Sequence, residues 1–394
     1  MSAAPLPEPS PAAGGRDRGA PAPALESRRV PELDGLRGVA VLLVIVFHYV
    51  SSVLPRRGEL SGARAALSWT WSGVDLFFVL SGFLIGGILI ENRGSPRYYR
   101  TFYRRRACRI VPVYLLVVAA AFSFPALAAR GLAPPVPFRT LLPAWTYLTF
   151  TQNIFMSYYN GFGSQFLLAT WSLAVEEQFY LVMPLVVRLV PPRRLPWVLM
   201  AGIAAAPVLR LWFDLQETGT APLSVYLLMP SRADALLLGV LAAWAWRYDA
   251  FRAFVRDAGA WMLLPVGLSA AAVAVLAHGD ADPIAPGVAH GGLSWLAVGY
   301  VFVLLLAVSQ ARVARVLRWR ALGLLGLVSY TAYLVHFPVL RIVHFVLRGD
   351  SPSLAGPAAQ AATGAALVVT LALAALSWVV LEKPILRWAH RVPY

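Results

Sequence analysis

The feature that most constrains this chain is a series of apolar runs, each about as long as an α-helix must be to cross the ~30 Å hydrocarbon core of a membrane. Hydrophobic residues make up 59% of the chain and charged residues 13%, a balance that excludes an ordinary soluble domain. The sequence therefore predicts an all-α integral membrane protein, a bundle of about ten transmembrane helices. The predicted spans are residues 38–54, 73–90, 110–129, 171–190, 196–213, 223–246, 259–277, 292–310, 322–347 and 358–380.

The basic residues lie mostly in alternate connections between these predicted spans. The formal net charge is +15, with 34 Lys and Arg residues. In a soluble protein such a charge would favour nucleic acid, but its alternation follows the positive-inside rule instead. It predicts a multi-pass protein of the plasma (inner) membrane with both termini cytoplasmic, the lipid bilayer as partner and no nucleic acid. The alternation requires that residues 141–156 do not cross, so we interpret this segment as re-entrant or interfacial.

The two ends of the chain differ in composition from the apolar region between them. Residues 1–31 are rich in Pro, Ala, Gly and Arg and predict a disordered cytoplasmic tail, without the pattern of a signal peptide. Residues 32–388 form the predicted membrane domain, and residues 389–394 a short cytoplasmic tail. Cys108 is the only cysteine, which excludes an intramolecular disulfide bond.

Ionisable side chains within the apolar runs are the informative residues, because each costs at least ~2.5 kcal/mol unless it faces the bundle interior or a water-filled cavity. Arg37 and His48 lie about 16 Å apart along a helix and on nearly the same face. This spacing places Arg37 at the inner membrane edge and His48 near mid-bilayer. A neutral imidazole there could take a proton from a hydroxyl. A histidine that hydrogen-bonds within the helix packing is the structural alternative.

The second run combines small residues with a carboxylate. Gly82 and Gly86 form a small-xxx-small pair that predicts the close approach of another helix. Asp75 lies near the outer end of this run and either pairs with an arginine or takes part in chemistry.

Two arginines mark the start of the third run. Arg106 and Arg109, if helical, share one face at the membrane edge. Two guanidinium groups in this position suit an anionic phosphate, which they can bind by paired hydrogen bonds.

A polar stripe opens the fourth run. Ser172, Glu176 and Tyr180 are four residues apart and so lie on one helix face, with Glu177 beside Glu176. Adjacent carboxylates at the entrance of a span are hard to explain by packing, and we interpret them as functional.

Two later spans also contain polar residues. Arg232 and Asp234 either neutralise each other or pair with other buried charges. Tyr333 and His336, three residues apart, either hydrogen-bond within the bundle or line the same cavity.

Together, these blocks resemble the acyltransferase-3 family of polytopic membrane acyltransferases, most of which acylate hydroxyls of sugars in surface polysaccharides, lipids or secreted metabolites. The resemblance extends over about residues 32–388, so we interpret this region as a membrane acyltransferase domain. It rests on Leu33-Asp34-Gly35-Leu36-Arg37-Gly38 with His48, on residues 73–82, on Arg106-x-x-Arg109 with Pro112, on Trp171-Ser172-Leu173 with Glu176, and on Tyr330-x-x-Tyr333-x-x-His336. We find no soluble esterase-like domain beside these blocks and therefore expect the stand-alone form of the family.

The resemblance implies a donor, an acceptor and a set of site residues. It makes His48 essential for acyl transfer and assigns Arg106 and Arg109 to the phosphates of acyl-CoA. The default acyl group is acetyl, and the acceptor is a hydroxyl of a carbohydrate, glycolipid or glycosylated metabolite. No metal is expected, because a thioester is already an activated donor.

We therefore expect three groups of site residues. The catalytic group is His48, Glu176 and Asp75. The group that binds acyl-CoA is Arg37, Arg106 and Arg109. The group that contacts the acceptor is Trp171, Ser172, Tyr180, Arg232, Asp234, Tyr333 and His336.

Two other classes of function are compatible with the same residues. In a transporter or flippase for a cell-envelope intermediate, the buried ionisable groups would form a substrate or proton pathway. A transferase could also use a lipid-linked donor in place of a CoA thioester.

Overall fold

The computed structural model describes residues 30–54, 61–138, 141–216, 223–391 and 394. The predicted N-terminal tail lies outside these residues except for Val30 and Pro31, and Pro31 already begins the first helix. Throughout the described residues the regular secondary structure is helical. The ten principal helices are α1 (Pro31–Tyr49), α2 (Gly73–Glu91), α3 (Tyr98–Ala129), α4 (Thr170–Leu189), α5 (Leu195–Gln216), α6 (Met229–Ala245), α7 (Leu263–Ala277), α8 (Leu293–Ser309), α9 (Arg320–Arg348) and α10 (Pro357–Ser377). Shorter helices cover Ser61–Ser68, Ala144–Leu148, Gln152–Tyr158, Ser224–Leu227, Asp249–Ala258, Ala311–Leu317 and Lys383–Ala389.

The helices confirm an all-α polytopic membrane protein. Nine helical segments of the described chain are long and apolar enough to cross a membrane. The predicted span at residues 171–190 corresponds to α4, which has 20 residues but is not among the nine. Glu176, Glu177 and Gln178 lie in its middle and make it less apolar than the others.

Two helices begin well before the apolar runs that predicted them. The helix α1 begins at Pro31 rather than at residue 38, and α3 begins at Tyr98 rather than at residue 110. Proline suits the first turn of a helix, and Glu32 and Asp34 in that turn complement the helix dipole. Hydropathy detects only the apolar part of a helix, so the predicted spans omit these polar first turns.

The segment 141–156 does not form a spanning helix. It contains Ala144–Leu148 and the greater part of Gln152–Tyr158, and neither helix exceeds about 11 Å at 1.5 Å per residue. Gln152 and Asn153 are fully buried, and their amides donate to the carbonyl oxygens of Thr170 and Leu227. These hydrogen bonds attach the segment to the bundle.

Glycines allow two pairs of helices to pack with their backbones in contact. A Cβ at Gly82 of α2 would lie 1.9 Å from the carbonyl oxygen of Leu236 on α6, and one at Gly86 would lie 2.9 Å from the Cα of Val240. The predicted role of Gly82 and Gly86 in close packing is therefore confirmed. A Cβ at Gly326 of α9 would lie 1.8 Å from the carbonyl oxygen of Asp34, which holds α9 equally close to α1.

Candidate active site

A cavity of about 120 Å³ lies among α1, α2, α3, α4 and α9. Polar and charged side chains form one part of its wall, and apolar residues of α2 form another. It is lined by Arg37, Val74, Phe77, Phe78, Leu80, Ser81, Leu84, Ile85, Arg106, Arg109, Ile110, Ser172, Leu173, Glu176, Tyr180, Ser329, Tyr330, Tyr333 and Leu334.

Three arginines from two helices converge on this cavity. Arg37 comes from α1, and Arg106 and Arg109 come from α3, where their spacing of three residues puts them on one face. Arg109 lies in the electrostatic field of both other arginines. Arg37 is paired with Asp34, at 3.2 Å between Nη1 and Oδ1. In the described part of the chain neither Arg106 nor Arg109 forms a direct ion pair, so the cavity presents positive charge to an anion.

A network of hydroxyl groups lines the wall formed by α2, α4 and α9. The hydroxyl of Tyr180 lies 2.5 Å from Ser81 Oγ and donates to Glu176 Oε2 at 3.3 Å. The hydroxyl of Tyr333 lies 2.6 Å from Ser172 Oγ. The predicted polar stripe of α4 therefore faces the cavity, with Glu176 near Arg106 and Arg37.

His48 lies next to this cavity rather than in its wall. It is in the last turn of α1, which ends at Tyr49. Its Nδ1 lies 3.2 Å from Nε2 of His336, which is fully buried on α9. The His336 ring is 5.9 Å from the ring of Tyr333, a residue of the cavity wall. Two predicted site residues, His336 and Tyr333, thus connect His48 to the cavity.

Asp75 forms an ion pair with Arg232, and both side chains are 1% exposed. This pair joins α2 to α6 and lies outside the residues that line the cavity. Of the two roles expected for Asp75, the structure therefore supports pairing with an arginine rather than a direct part in chemistry. It also shows that Arg232 neutralises Asp75 rather than its near neighbour Asp234.

Asp234 pairs instead with Arg210, at 3.0 Å between Oδ2 and Nη1. Arg210 on α5 also donates to the carbonyl oxygen of Ser231 and to Ser294 Oγ, and its side chain is fully buried. Asp234 therefore belongs to a packing network of α5, α6 and α8, separate from the cavity.

Trp171 is also removed from the cavity. Its ring packs against Tyr226 at 4.7 Å and against Phe78 at 6.2 Å, and the residue is 4% exposed. Trp171 thus packs against Phe78, a residue of the cavity wall, on the side away from the cavity, whereas the adjacent Ser172 lines the cavity itself.

Three residues of the cavity wall or of the packing networks were not among the expected site residues, although Tyr330 belongs to one of the five motif blocks. Ser81 lies seven residues, or two helical turns, after Val74 and so on the same face of α2, which lines the cavity. This spacing was the signal that could have identified Ser81. Tyr330 lines the cavity and donates to the carbonyl oxygen of Ile110 at 2.7 Å. Arg210 interrupts an otherwise apolar predicted span, and that interruption was the signal that could have found it.

The described residues contain no group of three or more His, Cys, Asp or Glu side chains arranged to hold a metal ion. The cavity itself combines cationic, hydroxyl and carboxylate groups. Such groups can bind an anion, orient a hydroxyl and move a proton.

Comparison with known proteins identifies relatives along most of the chain. The O-acetyltransferase OatA of Staphylococcus aureus is 29% identical over 345 residues, which cover 82% of this chain and 53% of the relative. The peptidoglycan O-acetyltransferase OatA of Listeria monocytogenes is 28% identical over 373 residues, covering 90% and 56%. The putative peptidoglycan O-acetyltransferase YrhL of Bacillus subtilis is 30% identical over 377 residues, covering 91% and 55%. The chain thus spans about half the length of these curated relatives.

No solved structure matches the chain. The sequence model of the acyltransferase-3 family, described as an acyltransferase domain, matches residues 30–381. This match extends through all five motif blocks and nearly the whole predicted membrane domain. The chain therefore belongs to the acyltransferase-3 family.

Proposed function

We propose that this chain is an O-acyltransferase of the plasma (inner) membrane that moves an acetyl group from acetyl-CoA to a hydroxyl of a carbohydrate, glycolipid or glycosylated metabolite. The observation that carries the proposal is the position of three arginines in one cavity of the helical bundle beside a pair of histidines. Membership of an acyltransferase family supports the type of reaction. The names of the relatives support acetyl as the acyl group and a cell-envelope glycan as the acceptor.

The donor is proposed to bind through its phosphate groups. Arg106 and Arg109 can each form two parallel hydrogen bonds to phosphate oxygens, and Arg37 adds a third positive charge. An anion that carries several phosphates, such as CoA, would relieve the repulsion among these guanidinium groups. We place this entrance on the cytoplasmic side, in agreement with the alternation of basic residues.

The size of the cavity favours a short acyl chain. At about 120 Å³ it is smaller than the ~150 Å³ cavity that accommodates a benzene molecule in another protein. An acetyl group fits in such a space, whereas the rest of CoA, or a long alkyl chain, requires the helices to move apart.

In the proposed reaction His48 acts as the general base. It accepts the proton of the acceptor hydroxyl while the hydroxyl oxygen forms a bond to the thioester carbonyl carbon. The carbon–sulfur bond then breaks, and the CoA thiolate takes up the proton from the imidazolium. In the alternative, His48 attacks first, CoA leaves, and the acyl-imidazole passes its acyl group to the hydroxyl. Both routes end with the same ester and free CoA.

The other residues of the cavity wall are proposed to position the reactants. Glu176 and Tyr180 lie beside Arg106, whose guanidinium carbon is 6.0 Å from the centre of the Tyr180 ring, and would orient the donor. Ser172 and Tyr333, which the sequence assigned to the acceptor, line the same cavity as the arginines, and we assign them instead to directing the acyl end of the donor towards the histidines. Asp75 would act through its pair with Arg232, which supports the wall behind Phe78.

The test uses purified protein in lipid nanodiscs with acetyl-CoA labelled in the acetyl group. We expect release of CoA that depends on a glycan acceptor, together with labelled ester on that acceptor. His48→Ala should reduce the turnover to background while the protein still elutes as a folded species. Full acetylation by that variant would overturn the assignment of His48.

The arginine assignment has its own test. Replacing Arg106 and Arg109 together by Gln should raise KM for acetyl-CoA by at least about 100-fold, since even one charge-assisted hydrogen bond lost from each arginine costs together ~3 kcal/mol. The matched control is Arg104→Gln, because Arg104 lies on the same helix but stacks on Trp388 at 4.2 Å, outside the cavity wall. An unchanged KM in the double variant would refute phosphate binding. Substrate movement that depends on a proton gradient, without release of CoA, would favour the transporter alternative.

A further inference from the structure

His48 and His336 form a direct side-chain pair between two helices that are far apart in the sequence. Nε2 of His336 lies 3.2 Å from Nδ1 of His48, and the ring centres are 4.9 Å apart with an angle of 58° between the ring planes. His336 is fully buried, whereas His48 is partly exposed. The pair therefore has an enclosed member and a member that a substrate can reach.

The hydrogen bonds determine which nitrogen of His336 carries the proton. Its Nδ1 lies 2.6 Å from the carbonyl oxygen of Tyr333. A carbonyl oxygen only accepts, so Nδ1 must donate. In a neutral imidazole the other nitrogen then has the free lone pair. Nε2 of His336 thus presents an acceptor to His48.

The same reasoning applies to His48. Its Nδ1 lies between two acceptors, the carbonyl oxygen of Val44 at 3.0 Å and Nε2 of His336 at 3.2 Å. Nδ1 of His48 must therefore carry the proton, and its Nε2 keeps the lone pair. Within the described chain no hydrogen-bond partner occupies this Nε2, so it is available to a substrate.

The surroundings also fix the orientation of both rings. Phe47 and Phe337 contact the His48 ring edge to face, at 5.0 and 5.2 Å between ring centres. The hydroxyl of Tyr49, the residue after His48, donates to the carbonyl oxygen of His336 at 2.9 Å. The two histidines are thus linked through their side chains and also through Tyr49.

We propose that His336 is a positioning residue that holds His48 in the tautomer with Nε2 unprotonated, so that this nitrogen accepts the proton of the acceptor hydroxyl. His336 Nε2 also accepts a hydrogen bond from the imidazolium that forms when His48 gains that proton. This is the role of the third member of a catalytic triad, supplied by a neutral imidazole instead of a carboxylate. The inference rests on the proposed acyltransferase function and revises the expected role of His336 from contact with the acceptor to support of His48.

The experiment compares His336→Leu with His336→Gln in nanodiscs, with acetyl-CoA and a glycan acceptor. Leucine removes the acceptor, whereas the Gln side chain can place Oε1 near the position of Nε2. We expect His336→Leu to lower kcat by about 100-fold, less than the ~10⁴-fold loss from a wrong tautomer in a serine protease, because Val44 still holds Nδ1. KM for acetyl-CoA should change less than threefold, and His336→Gln should recover at least a tenth of the wild-type kcat.

Equal losses of kcat in the Leu and Gln variants would overturn the proposal, as would wild-type kcat in the Leu variant. A change confined to the KM of the acceptor would assign His336 to substrate binding instead.

A second measurement is independent of turnover and of the proposed function. The ¹⁵N spectra of histidine-labelled wild-type protein, assigned with His48→Gln, should show His48 with a protonated Nδ1 and an unprotonated Nε2. In His336→Gln the same tautomer should persist, and in His336→Leu a fraction with protonated Nε2 should appear, because the carbonyl oxygen of Val44 alone then holds Nδ1. A His48 signal with protonated Nε2 in the wild type would refute the tautomer assignment even if acetyl transfer is observed. If the wild type shows this tautomer but does not release CoA, the acyltransferase proposal fails and the geometry of the pair stands.

Discussion

The hydroxyl of Ser172 on α4 lies 2.6 Å from the hydroxyl of Tyr333 on α9, and this hydrogen bond joins two walls of the cavity. Ser172 also donates to the carbonyl oxygen of Ala169 at 3.2 Å. Because a hydroxyl has one proton, Tyr333 must then be the donor of the shared bond. The ring of Tyr333 is thereby fixed between the arginine-lined cavity and His336.

Loss of this bond should impair catalysis without unfolding the protein. We expect Tyr333→Phe and Ser172→Ala each to reduce kcat by about fivefold, which corresponds to the ~1 kcal/mol of one hydrogen bond. The double variant should be no worse than either single variant, because both remove the same interaction. Tyr98→Phe is the matched control, since it removes a hydroxyl that donates to Pro184 outside the cavity. Fully multiplicative losses in the double variant would contradict a shared role.

The pair of Asp75 and Arg232 should contribute mainly to stability. Asp75→Asn leaves the Arg232 charge buried without a counter-charge, which costs about 3–5 kcal/mol and should lower the apparent melting temperature strongly. Replacing both residues, by Asn and Met, should restore most of the stability and most of the acetylation. A double variant that is stable but inactive would instead support a direct catalytic role for Asp75.

Close packing at Gly82 should also be testable by thermal unfolding in detergent. A methyl group at this position would meet the backbone of Leu236, so Gly82→Ala must push α2 and α6 apart at a cost of about 1–3 kcal/mol. Gly364→Ala on α10 is the matched control, because its added methyl would meet no atom within 4 Å. Equal melting temperatures for the two variants would be incompatible with the backbone contact between α2 and α6.

The predicted orientation can be tested with single cysteines in a Cys108→Ser background. Leu132→Cys follows α3 and should react with a membrane-impermeant maleimide added outside intact cells. Gly94→Cys precedes α3 and should react only after the membrane is opened. Leu132 is 72% exposed and a Cβ at Gly94 would meet no atom within 4 Å, so neither change disturbs packing. If Gly94→Cys reacts in intact cells and Leu132→Cys does not, the topology is the inverse of the predicted one.

The sequence predicted the class of fold because a membrane span leaves a strong local signal. The ends of the helices were less predictable, since the first turns of α1 and α3 are polar and fall outside the apolar runs. The polar stripe of α4 and the helical spacing of Arg106 and Arg109 also follow from local periodicity, and the structure places these residues in one cavity.

The partners of the buried charges could not be predicted in the same way. Asp75 pairs with Arg232 and Asp234 pairs with Arg210, although Arg232 and Asp234 are two residues apart. On a helix these two side chains point in different directions, so each finds its partner on another helix. Which helices are neighbours depends on tertiary packing, and the contact of His48 with His336 depends on it for the same reason.

The glycine contacts of α1 with α9 have a consequence for how substrates enter. A Cβ at Gly38 would lie 2.2 Å from the carbonyl oxygen of Leu322, so the two backbones are in direct contact and cannot approach each other further. These helices carry His48 and His336, whereas Arg106, Arg109 and Glu176 lie on α3 and α4. Widening of the cavity to load or release CoA should therefore separate α3 and α4 from α1 and α9, which breaks the side-chain hydrogen bond of Ser172 with Tyr333 but keeps the histidine pair assembled between one turnover and the next.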